Sequence, residues 1–113
     1  AWEEDSWEII DEKLKRLKEL SEKHNFKVLV INFPVYYQVY AKFLEDSPQK
    51  KMEELSTDYN FQYLDLLPSL IKDRHINLFY DQCHLTPYAN DVAGKAVSDF
   101  LIENVLTEFQ EKI

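Results

Sequence analysis

Asp81 and His84 stand three residues apart in the run Asp81-Gln82-Cys83-His84. In a loop, that spacing lets the carboxylate fold back onto the imidazole. The carboxylate then accepts a hydrogen bond from one ring nitrogen and fixes the tautomer. The other nitrogen is left to act as a general base toward a hydroxyl. The negative charge also favours the imidazolium that forms when the proton moves. Asp-x-x-His alone is a frequent spacing. The same two residues can simply pin a loop, or cap the helix that follows.

Other residues carry weaker signals. Cys83 adjoins His84, but neighbouring side chains usually diverge, so a packed or bystander thiol is expected rather than a nucleophile. A single cysteine excludes an internal disulfide, and a Cys-based zinc site is not expected from it. The three histidines, His24, His75 and His84, lack metal-ligand spacing, so no metal is expected. His24 sits at a helix C-terminus and His75 in the polar turn Lys72-Asp73-Arg74-His75, and both read as surface residues. Tyr36, Tyr37, Tyr40 and Phe43 follow Pro34. They could line an acyl or sugar pocket, or pack over the core as an aromatic loop.

The elements that must hold these residues read as α, β, α, β, α, loop, α. Residues 5 to 24 form an amphipathic helix with Trp7, Ile10, Leu14, Leu17 and Ser21 on one face. Asp5 and Glu8 suggest a capping-box start. Residues 27 to 33, KVLVINF, are a continuous apolar run, as in a strand covered on both faces of a parallel sheet. Pro34 ends it, and residues 34 to 46 read as a loop. Ser47 as a cap with Pro48 behind it opens a helix to about Tyr59. Phe61 to Leu64 is a second short strand, and Asp65 caps a short helix. Residues 76 to 85 form a loop. Thr86 and Pro87 start the last helix, with Ala93, Ala96, Val97, Phe100 and Leu101 on its apolar face. Helices alternating with apolar strands imply a parallel sheet under helices. Two strands alone make a poor sheet, which hints at part of a larger domain.

Composition narrows the partners. Hydrophobic residues make up 45% of the 113, enough for a core. The net charge of −8 speaks against a nucleic-acid partner and an anionic membrane surface. No apolar run reaches the length of a membrane span. The opening Trp2-Glu3-Glu4-Asp5 does not read as a signal peptide. Gly94 is the one glycine, which removes phosphate-cradling loops.

The stretch YNFQYLDLLPSL…INLFYDQCHLTPYANDVAGKAVSDFL resembles the C-terminal catalytic block of SGNH (GDSL-like) hydrolases. The matching residues are Asp65, Leu78, Phe79, Tyr80, Asp81, His84, Leu85, Pro87, Ala89, Val92 and Ala93. Upstream, the helix over 5 to 24 and KVLVINFP look like that family's penultimate helix and strand. Ala89 or Asn90 stands where the family often has glycine, a mild change in a helix turn. The resemblance implies a three-layer α/β/α, flavodoxin-like fold. Residues 1 to 113 would be the C-terminal portion of one domain, supplying about its last two parallel strands and flanking helices. It implies a serine esterase or acylhydrolase acting on O-acyl esters through an acyl-serine. His84 would be the general base, Asp81 would orient it, and no cofactor would be needed. The family's serine and oxyanion blocks have no match here. None of Ser6, Ser21, Ser47, Ser56, Ser69 and Ser98 sits in a strand-to-helix elbow. The expectation is therefore an inactive isolated chain whose serine comes from an upstream segment or a partner chain. Self-association through the open strand edge and apolar helix faces is also expected. Two alternatives stay open: an inactive SGNH-like fragment serving as an interaction module, and an O-acyltransferase of polysaccharide.

Overall fold

The computed structural model describes residues 4–41 and 46–106. Their order is α1 (Glu4–His24), β1 (Leu29–Asn32), α2 (Tyr36–Tyr40), α3 (Ser47–Asp58), β2 (Gln62–Asp65), α4 (Leu67–Lys72) and α5 (Pro87–Leu101). A π-helical turn, Ile102–Leu106, continues α5. The class is α/β. The strands β1 and β2 pair in parallel, and the sheet has two strands among the described residues. The described residues fall into two compact units, one of 4–32 with 46–63 and one of 33–41 with 64–106.

The first unit holds α1, β1, α3 and the start of β2. The apolar stripe of α1 is where the periodicity places it: Trp7 and Ser21 are buried, and Ile10, Leu14 and Leu17 are half-buried. Ser21 keeps its hydroxyl satisfied by donating to the Lys18 carbonyl at 2.8 Å. Tyr59 donates to Asp11 at 2.6 Å, which joins the end of α3 to α1. That bond holds the Tyr59 phenol up at about 12.

Both helices of this unit stop by the same device. Asn25 (φ 55°) and Asn60 (φ 57°) are left-handed, a conformation that asparagine tolerates better than most residues. Phe26 N–H then reaches back to the Ser21 carbonyl at 3.0 Å, and Phe61 N–H to that of Ser56 at 2.8 Å. These are Schellman closures, and each turns the chain out of a helix toward a strand.

Some boundaries differ from the sequence expectation. Asp5 lies within the first turn of α1 rather than at its cap. Asp46, not Ser47, is the cap residue of α3, and it makes no side-chain cap bond. The loop expected over 34 to 46 contains the helix α2. Gln38 there accepts a hydrogen bond from Val35 N–H at 3.0 Å, which closes its first turn. Phe43 lies outside the described residues. The strands are not covered on both faces: every residue of β1 and β2 is half-buried. Two strands give the apolar run too little neighbouring structure to hide in.

The second unit is built on Val39, Leu67, Leu70, Leu78, Phe79 and Ala89, with Tyr40, Ile71, Leu85 and Val92 packed against them. These residues come from α2, α4, α5 and the segment between α4 and α5. Asp65 accepts from Leu67 N–H at 2.9 Å and so satisfies the start of α4. Thr86 caps α5 through Ala89 N–H, with Pro87 in the first turn.

Candidate active site

The segment carrying Asp81 and His84 is a clamped loop. Phe79 and Leu85 form an antiparallel bridge. Tyr80 N–H donates to the His84 carbonyl at 2.8 Å, and Thr86 N–H to the Leu78 carbonyl at 3.0 Å. Leu78 and Phe79 are buried in the core below, while Tyr80 to His84 are exposed. The loop is therefore a short hairpin whose base is apolar and whose tip is polar. Tyr36 N–H, at the start of α2, donates to the Gln82 carbonyl at 2.8 Å and ties the tip down.

At the tip the chain curls round one carboxylate. Asp81 Oδ1 accepts from the N–H of Cys83 at 2.9 Å and from that of His84 at 2.8 Å. The His84 ring nitrogen Nδ1 lies 2.7 Å from Asp81 Oδ2 and 3.0 Å from Oδ1. A carboxylate can only accept, so Nδ1 carries the proton. In the neutral ring Nε2 then bears the lone pair. Nε2 hydrogen-bonds to no described residue, and the His84 side chain is 74% exposed. The two backbone N–H bonds, with the imidazole third, hold the Asp81 carboxyl down at about 2. The carboxylate thus stays ionised throughout the range in which His84 could work as a base.

Of the two expected roles for the Cys83 thiol, packed or bystander, its exposure leaves the second. Cys83 Sγ lies 3.6 Å from His84 Nδ1. The neighbouring side chains converge because residues 83 and 84 both turn their N–H groups toward Asp81. The ligand atoms of Asp81, Cys83 and His84 all lie within 4.8 Å of one another, a cluster that spacing of histidines alone does not reveal. The thiol faces the nitrogen already committed to Asp81, so the dyad does not engage it as a nucleophile.

The tyrosines separate into different jobs. Tyr36, Phe79, Tyr80, Asp81 and Gln82 line an open depression of about 340 Å³. Tyr36 meets Phe79 edge-on, with ring centroids 5.9 Å apart. Tyr37 and Tyr40, candidates for either a pocket or core packing, are not among the residues lining this depression. Tyr40 instead bolts the core: its hydroxyl donates to the Ile76 carbonyl at 2.6 Å and accepts from Leu78 N–H at 3.0 Å. Tyr37 is about half exposed. Phe79, Tyr80 and Gln82 are the lining residues that sequence reasoning did not single out as pocket candidates. The adjacent aromatics Phe79 and Tyr80, directly before Asp81, were the signal available in the sequence. A larger hollow of about 560 Å³ carries Ser69, Tyr88, Lys95 and Asp99 but no histidine.

Among the serines, Ser21 and Ser56 are buried in the first unit. Ser69 and Ser98 share the second unit with His84 and are helix residues, Ser69 half-buried on α4 and Ser98 exposed on α5. No helix among the described residues is long and apolar enough to cross a membrane. Comparison with protein-family models, with curated proteins and with solved structures returned no match to this chain.

Proposed function

We propose that this chain supplies the general base and its orienting carboxylate to a serine ester hydrolase of the SGNH type. One observation carries the reading: the Asp81 carboxylate holds His84 by Nδ1 and leaves Nε2 exposed with its lone pair available. Nε2 would take the proton of a serine hydroxyl as that oxygen attacks an acyl ester. It would then return the proton to the departing alcohol oxygen. Water would resolve the acyl-serine by the same base, in reverse order. Asp81 keeps the tautomer and offsets the imidazolium charge. No cofactor enters this chemistry.

The serine would be supplied from outside these 113 residues, by an upstream segment or a partner chain. The strands are half-buried and only two in the described residues. Both features fit the last two strands of a three-layer, flavodoxin-like α/β/α domain. The exposed Tyr36 and Tyr80 beside the dyad are suited to face the ester's acyl or alcohol group.

The test is fluorophosphonate labelling of the natural protein that carries this segment, read by intact mass and peptide mapping. The expected result is a labelled species heavier than 13.5 kDa, with the label on a serine outside residues 1–113. Labelling should be lost in His84→Ala. Labelling of any of the six serines here would overturn the assignment of the nucleophile. Unlabelled protein, or labelling indifferent to His84, would favour a non-catalytic module in which the dyad staples a loop.

A further inference from the structure

We propose that Asp81, Cys83 and His84 form a binding site for a soft divalent transition-metal ion, with Zn²⁺ as the fitting probe. Three donors of different kinds, a carboxylate oxygen, a thiol sulfur and an imidazole nitrogen, lie within 4.8 Å of one another. A tetrahedral zinc with its usual bond lengths separates a sulfur and a nitrogen ligand by about 3.6 Å. Cys83 Sγ and His84 Nδ1 are 3.6 Å apart. Nδ1 and Asp81 Oδ2 are 2.7 Å apart, with a proton between them. An ion replaces that proton, and the pair opens by about 0.6 Å to reach zinc spacing. The bonds from the Cys83 and His84 N–H groups to Asp81 Oδ1 already fix the carboxylate, as outer-sphere bonds do in zinc sites. All three side chains are exposed, so the entry path is open and the fourth position is left to water.

The balance is simple. Binding forms metal–sulfur, metal–nitrogen and metal–oxygen bonds. It releases the Cys83 thiol proton to solvent, while the Nδ1 proton moves to Nε2. Affinity therefore rises with pH. The ring then presents an N–H at Nε2 and no lone pair. On the hydrolase reading, which this consequence alone rests on, a bound ion silences the base.

Zn²⁺ is titrated into the 113-residue chain by calorimetry, and Co²⁺ is followed by absorption. The expected result is one ion per chain, with a thiolate-to-cobalt charge-transfer band and protection of Cys83 from alkylation. Cys83→Ser should abolish the band and weaken Zn²⁺ binding by more than about tenfold. His84→Asn should weaken it likewise, and His75→Asn should leave it unchanged. Equal Zn²⁺ affinity in wild type and Cys83→Ser would overturn the site. So would a cobalt spectrum without the thiolate band, or alkylation unaffected by Zn²⁺. None of these readouts requires catalysis, so the outcome is separate from that of fluorophosphonate labelling.

Discussion

Asp81 shows how one side chain organises a short loop. Its carboxylate gathers three donors within four residues, and this is why its carboxyl is held down at about 2, below the usual 3.8. A carboxyl depressed on folding adds stability above its unfolded value and loses it as pH falls through the folded value. The bond to His84 should therefore persist at pH 4 and be lost as the pH approaches 2. Carboxyl carbon shifts of Asp81, followed by NMR, would check this, and an ordinary titration near 4 would contradict it. On the proposed hydrolase function, His84→Ala in the natural protein that carries this segment should cut turnover by about 10²- to 10⁴-fold, the usual share of a general base. Steady-state ester hydrolysis measures that share. The pairing was legible from Asp-x-x-His spacing because it needs four consecutive residues and nothing else. The position of Cys83 was not, because it follows from two backbone N–H groups turning toward one carboxylate. The role of Tyr40 stayed open between pocket and core for a related reason: composition shows an aromatic but not where its hydroxyl goes. Tyr40→Phe removes the acceptor for the Leu78 N–H and should cost about 1–3 kcal/mol in chemical denaturation.

The helices were readable where period and caps agreed. The stripe of α1 follows a 3.6-residue repeat, and Thr86-Pro87 opens α5 as expected. The short α2 escaped because five residues show too little periodicity to distinguish a helix from an aromatic loop. The strand ends were less legible because helix termination, not strand propensity, sets where β1 and β2 begin. His24-Asn25-Phe26 and Tyr59-Asn60-Phe61 repeat one stop signal, with asparagine left-handed and phenylalanine closing back onto the helix. Asn60→Ala should then destabilise by about 1–2 kcal/mol, since alanine pays the left-handed cost without asparagine's local hydrogen bonding. Asn60→Gly should be tolerated or mildly stabilising. Thermal unfolding of the two variants side by side tests the signal, and equal effects would remove it. In α3, Ser56 is fully buried and its hydroxyl lacks a hydrogen-bond partner among the described residues. Ser56→Ala should raise stability by about 1 kcal/mol, because a desolvated hydroxyl is removed at little cost in volume.

At the scale of the molecule, the mismatch between apolar content and coverage decides the behaviour in solution. The run KVLVINF is written for a strand hidden on both faces, yet β1 is half-buried and Phe33 beyond it is 53% exposed. In the first unit Ile9, Leu20 and Phe26 also reach solvent. A two-stranded sheet leaves unpaired backbone groups along its outer edges, and such edges pair with other chains. The net charge of −8 opposes this association at long range, but salt screens charge beyond about 8 Å at physiological ionic strength, while apolar contacts remain. The 113-residue chain should therefore self-associate, more strongly as salt is raised. Sedimentation velocity over a concentration series at low and high salt would measure it. A weight-average mass climbing above 13.5 kDa with concentration and salt supports a chain written to be covered by further structure. A clean monomer at high concentration in high salt would mean the half-buried strands are sufficient as they stand, and the larger three-layer domain would lose its main physical argument.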